Sequence, residues 1–202
     1  MATTMIRKKT EVRQQQIIEA AQRLIFKHGS EHLTVKRIAK EVGISEAAIY
    51  RHFKSKRSIL LFLVSHIETI LLTEISREGA GNEIVTLETI EKTIQKHFTA
   101  IDTRKGLAFL VIAEIISLGD KGLNKKASMM INTYISKLIE LLAAGVKSGS
   151  VRQDIDLEAS ALLLFSMIQT IISIWSLNKG SFNLFDKFGS LWRVYSQAIA
   201  QR

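Results

Sequence analysis

Two very short helices joined by a tight turn can be read from the segment Thr34-Val-Lys-Arg-Ile-Ala-Lys-Glu-Val-Gly-Ile-Ser-Glu-Ala-Ala-Ile-Tyr-Arg-His-Phe53. Ile38 and Val42 fall one turn apart on an inner face. Ala39 is small enough for a second helix to cross closely, and Gly43 accommodates the turn. Ile49 and Phe53 then face inward from the second helix and its exit, which leaves Glu46, Ala47, Tyr50 and Arg51 facing outward. The spacing predicts a helix-turn-helix, whose second helix is the element that enters a DNA major groove.

The charge distribution supports this reading. The chain of 202 residues carries a net charge of +9, with no cysteine and no proline. Residues 1–60 hold 13 Lys and Arg against 5 Asp and Glu, whereas residues 61–202 hold 15 against 14. The excess is confined to the first third, as expected of a polyanion-binding module joined to a body with another task. An ordinary pair of crossed helices on a lysine-rich surface would not coincide with such a block. The lack of cysteine excludes thiol nucleophiles, iron–sulfur clusters, Cys-ligated zinc and a disulfide scaffold. The basic start is followed by no apolar stretch of signal-peptide length, so a cytoplasmic protein is expected.

Helix starts supply a second, independent argument. Acidic side chains belong in the first turn of a helix, and cations there cost about 0.3–1 kcal/mol. Glu46, Glu88 and Glu158 follow that rule at starts near Ser45, Thr86 and Leu157. Thr34, followed by Lys36 and Arg37, and Ser55, followed by Lys56 and Arg57, break it. A phosphate held by the free backbone N–H groups reconciles cations with a helix start.

Around the motif, apolar spacing predicts further helices. Ile17, Ala21, Leu24 and Ile25 make one face of a first helix from about Thr10 to His28, stopped by Gly29. Ser55 opens a fourth helix reaching about Arg77 and ended by Gly79 and Gly81. Five more follow, from about Thr86 to Asp102, Arg104 to Leu118, Lys121 to Lys147, Leu157 to Leu177 and Phe182 to Ala200. Period-two alternation is missing, so an all-α protein of about nine helices is expected. The expected domains are a basic arm over 1–9, a DNA-binding domain over 10–56 and a helical ligand-binding and dimerisation domain over 57–202. Ala159 to Asn178 is uncharged and near the ~20 residues a membrane span needs. Its Ser160, Ser166, Gln169, Thr170, Ser173 and Ser176, and its acidic flank, favour a helix buried on several sides. No membrane partner is therefore expected. A helix so apolar needs more partners than one subunit offers, which predicts a homodimer through the last two helices.

Residues 10 to about 60 resemble the DNA-binding domain of the TetR/AcrR family of bacterial transcriptional regulators. The resemblance rests on Ile17-Ile18, Ala20-Ala21, Leu24-Ile25-Phe26, Gly29, Thr34, Ile38-Ala39, Val42-Gly43-Ile44-Ser45, Ile49-Tyr50, His52-Phe53 and Lys56. It implies a dimeric repressor on a palindromic double-stranded DNA operator, released by a small ligand in the C-terminal domain. It also implies phosphate contacts from Thr34, Tyr50, His52 and Lys56, and base or groove contacts from Lys36, Ser45, Glu46, Ala47 and Arg51. Arg37 joins them from the helix-start argument. Arg57 stands where the family is frequently acidic, so phosphate is expected to weigh more at this helix start.

The C-terminal part resembles the family only in layout, including Gly149-x-x-Arg152-x-Asp154-x-Asp156, and carries no ligand residues over. A bundle cavity is mostly apolar with a few polar groups. Phe109, Glu114, Met130, Tyr134, Phe165 and Gln169 are the candidates for a lipophilic effector, such as a long-chain acyl compound, or for a cation that Glu114 would balance. No catalytic fingerprint is present, and His28, His32, His52, His66 and His97 are scattered, with Gly29 breaking the helix between the first two. Neither enzyme activity, nor a metal, nor a cofactor is expected. A ligand-independent nucleoid protein or activator of the same fold is the alternative.

Overall fold

The computed structural model describes residues 2–76, 84–103, 107–178 and 181–201, with the side chains of 2–9, 74–76, 97, 99–103, 107–110 and 176 not described. Among the described residues the protein is all-α, with nine helices. They are α1 (Ala2–His28), α2 (Val35–Val42), α3 (Glu46–Tyr50), α4 (Lys56–Ser76), α5 (Leu87–Thr103), α6 (Leu107–Ser117), α7 (Lys121–Lys147), α8 (Leu157–Leu177) and α9 (Leu184–Ile199). Arg77, Gly79, Gly81 and Arg104, expected at helix ends, lie outside the described residues. The segment read as a basic arm belongs to α1 from Ala2 onward.

Residues 1–67 and 110–128 form one compact unit, and 68–109 with 129–202 a second. The N-terminal unit therefore takes in more than 10–56, adding the first turns of α4, most of α6 and the start of α7. In this unit α1 packs on α2 and α2 on α3. Ile17, Ile18, Ile38, Ile49, Ile59 and Leu63 are wholly enclosed, and Phe53 meets Phe62 edge-on with ring centroids 5.4 Å apart. Gln15 of α1 lies 3.3 Å from His66 of α4, so α4 as far as its middle belongs to this unit.

The turn between α2 and α3 forms as its sequence dictates. Thr34 Oγ1 accepts from Arg37 N at 3.2 Å and caps α2. Gly43 ends it at φ 75°, where its N–H reaches the carbonyls of Ala39 and Lys40 and a Cβ would meet open space. Ser45 Oγ then accepts from Ala48 N and starts α3. Ser55 and Ser58 cap α4 reciprocally, each hydroxyl accepting from the other's N–H at 3.1 Å.

In the second unit α9 packs on α5 and α8. Its Phe188, Trp192 and Tyr195 stand in a row of ring contacts that begins at Phe98 of α5. Tyr195 donates to the carbonyl of Ser160 at 2.9 Å, and its burial pushes the phenol well above its usual pKa. An isolated antiparallel bridge joins Val151 to Ala200, with Arg152 N donating to Ile199 O at 2.9 Å and Gln201 N to Ser150 O at 3.2 Å. α7 and α8 are long and apolar enough to cross a membrane by length and composition alone. Within the single chain, α8 is enclosed on one face at Leu164, Ile168 and Ile172 and open on another at Leu163, Ile174 and Leu177.

Candidate nucleic-acid interface

The helix-turn-helix separates its residues by chemistry. Ile38, Ala39, Ile49 and Phe53 are buried, while Thr34, Lys36, Arg37, Ser45, Glu46, Ala47, Tyr50 and Arg51 are exposed. Tyr50 keeps 53% of its surface open, high for an aromatic ring on a five-residue helix anchored by Ile49. The exposed residues occupy the starts and outer sides of α2 and α3, where backbone N–H groups and side-chain donors are available to a polyanion. Arg37 spends part of its guanidinium on the carbonyl of His32 at 3.1 Å, and Arg23 of α1 pairs with Glu41 of α2 at 3.1 Å.

His52 and Lys56 are half-buried. The His52 Nδ1 is enclosed with no hydrogen-bond partner among the described residues. Desolvation first, then the charges of Arg13 and Arg51, lower its pKa and favour the neutral ring. Lys56 donates from Nζ to the carbonyl of Ser30 at 3.2 Å.

Ser30, which the sequence reading passed over, ties this corner together. It is 1% exposed. Its N–H and hydroxyl donate to Glu114 Oε2 at 3.0 and 3.1 Å, and its hydroxyl also approaches the Glu114 carbonyl at 3.2 Å. Glu114, expected beside a ligand, thus serves in the N-terminal unit. The other cation of the α4 start differs from expectation in a similar way. Rather than being left for phosphate, Arg57 makes two parallel bonds to Asp120, Nε–Oδ2 at 2.8 Å and Nη2–Oδ1 at 3.1 Å. Asp120 in turn accepts from the N–H groups of Gly122 and Leu123, both at 2.9 Å, at the start of α7. Its place before Lys121 was the one local signal of that role, since aspartate is favoured at a helix start.

The ligand candidates divide between the units. Met130 and Tyr134 are buried in the second unit, with Phe165 and Gln169 half-buried there. Tyr134 and Phe165 meet edge-on at 5.5 Å between centroids. Phe109 lies in α6, and its side chain is outside the described residues.

Comparison with known proteins agrees with these observations in both parts of the chain. Residues 17–62 match the model for bacterial regulatory proteins of the tetR family, and residues 67–197 match that for the C-terminal region of YsiA-like proteins. The chain is 26% identical over 169 residues to a fatty acid metabolism regulator protein of Bacillus subtilis, an alignment that spans 84% of this chain and 86% of the relative. It is 30% identical over 135 residues to the nucleoid occlusion factor SlmA of Vibrio campbellii, covering 67% of this chain and 68% of that one. In fold it resembles the transcriptional regulator FadR from Bacillus subtilis solved in complex with stearoyl-CoA, with a TM-score of 0.79 and 24% identity over 92% of this chain and 98% of the other. With a capped helix-turn-helix displaying its polar residues and family matches on both sides of residue 65, the chain belongs to the tetR family of bacterial regulatory proteins, DNA-binding regulators of transcription.

Proposed function

We propose that the protein is a cytoplasmic repressor that binds a palindromic operator as a homodimer and leaves it when a long-chain acyl-CoA occupies the C-terminal bundle. The observation that carries this reading is the extent of its likeness to the fatty acid metabolism regulator, which runs through most of the chain rather than through the DNA-binding part alone. The half-buried Phe165 and Gln169 beside buried Met130 and Tyr134 supply the mixture of apolar walls and few polar groups that such a ligand needs. The Glu114 carboxylate accepts from Ser30 in the N-terminal unit, which favours the lipophilic effector over a cation that it would balance.

Thr34, Tyr50, His52 and Lys56 would take phosphates, Arg37 would assist at the α2 start, and Lys36, Ser45, Glu46, Ala47 and Arg51 would lie in or beside the groove. The dimer is supported by an uncovered apolar strip on each of the last two helices, Leu163, Ile174 and Leu177 on α8 and Leu191 and Val194 on α9. Two recognition helices set about 34–36 Å apart fit successive major grooves. α4 links the units along the chain, with residues 56–67 in one and 68–76 in the other. A ligand that prefers a different spacing therefore weakens binding without touching DNA. Full release requires a preference of about 5.5 kcal/mol for the released state.

The test is a fluorescence-anisotropy titration on a duplex that the protein selects from a random pool, with stearoyl-CoA, stearate and coenzyme A added separately. Stearoyl-CoA is expected to release the duplex and coenzyme A to leave it bound. Unaltered affinity at saturating stearoyl-CoA overturns the acyl-CoA assignment. Failure to prefer the selected duplex over mixed sequence by about 10³-fold favours the ligand-independent reading, towards which the nucleoid occlusion relative points.

A further inference from the structure

Arg57 lies against the start of α7 at Gly122. Its guanidinium occupies the place of a side chain at position 122, since a Cβ on Gly122 would stand 1.9 Å from Arg57 Nη2. A cation at the start of α7 opposes the helix dipole. Asp120 offsets it by accepting both guanidinium bonds while capping Gly122 N and Leu123 N. Arg57 directly follows Lys56, whose ammonium is held by the carbonyl of Ser30, and Ser30 is held in turn by Glu114 of α6. The start of α4 is thus fastened at two consecutive residues, through Ser30 to α6 and directly to the start of α7, all within the N-terminal unit.

We infer that Arg57, Asp120 and Gly122 form a latch that positions the first turn of α4 against DNA, so that Arg57 serves operator binding through Asp120 and not by touching phosphate. The inference rests on the DNA-binding reading above. A direct phosphate contact and a latch differ in a measurable way. Each phosphate neutralised adds about 0.9 to the slope of log affinity against log salt, whereas a positioning residue changes affinity and leaves that slope alone. Gly122 adds a second handle, because α7 gains helix propensity from alanine while the seat is lost to the methyl group.

The experiment measures affinity for the selected duplex at several salt concentrations for the wild type, Arg57→Gln, Asp120→Asn, the double variant and Gly122→Ala, with thermal midpoints alongside. Wild-type failure to bind any duplex defeats the DNA-binding reading itself. With wild-type binding in place, the latch predicts that each single variant weakens the duplex by about three- to fivefold, the upper range of an exposed ion pair. The salt slope stays unchanged, and the double variant is no weaker than the worse single one. Loss of about 0.9 from the slope in Arg57→Gln, with Asp120→Asn binding as well as or better than wild type, overturns the inference and makes Arg57 a phosphate ligand restrained by Asp120. Affinities all within about twofold of wild type while thermal midpoints fall also overturn it, leaving a pair that serves the fold alone.

Discussion

Two titratable side chains of the N-terminal unit have consequences for pH. The bond from Arg57, helped by the N–H of Leu123, holds the Asp120 carboxyl down to about 2 from 3.8. A carboxyl with a lowered folded pKa stabilises the fold above its unfolded value, and the contribution disappears as pH falls through the folded one. Asp120→Asn is therefore expected to unfold more readily than wild type at pH 5, with the difference closing as acid brings both to about pH 2, as followed by far-ultraviolet circular dichroism. His52 has the opposite sense of linkage. Its folded ring resists the proton that the unfolded chain accepts near 6.5, so stability falls as pH drops below about 6.5. A phosphate beside the ring reverses the preference, and DNA binding should then take up a proton. Affinity for the selected duplex is expected to rise as pH is lowered from about 7.5 to 6, and His52→Gln to abolish the rise. A wild-type affinity that is flat over that range excludes phosphate at His52.

At the scale of elements, the α2–α3 turn depends on backbone conformation more than on contacts. Gly43 is left-handed, and nothing lies where a Cβ would project. Gly43→Ala should cost about 1 kcal/mol in urea unfolding from backbone strain alone; a neutral effect would show that the turn relaxes. Such features were legible in the sequence because they are local: Thr34, Gly43 and Ser45 act within a turn of their own positions. α7 and α8 likewise begin and end at the residues that periodicity assigns them. The polar ties of the α4 corner were not legible. Arg57 and Asp120 are 63 positions apart, Ser30 and Glu114 are 84 apart, and no periodicity links such pairs. A cation at a helix start proclaims a need for negative charge without naming its source. For Arg57 the source is a carboxylate of the protein.

For the whole molecule, the same limit applies to the ligand candidates, which sequence could place on helices but not in a common unit. The proposed association can be tested at a single position. Val194 on α9 is 69% exposed in the single chain, so a charge there should leave the subunit folded while opposing a second copy. Val194→Asp is expected to sediment as a monomer with unchanged helicity. Its affinity for the selected duplex should drop by about 10²-fold, because two linked reading heads become one. A dimer that survives this change would move the interface elsewhere.

The bridge between Val151 and Ala200 makes the two ends of the α8–α9 pair unequal. One end is sewn by main-chain hydrogen bonds, which do not depend on the identity of the side chains there, and by the Tyr195 hydroxyl. The other end is joined by the chain itself between Leu177 and Leu184, so the pair is closed at both ends, and parting α8 from α9 requires the main-chain bonds of the seam to break.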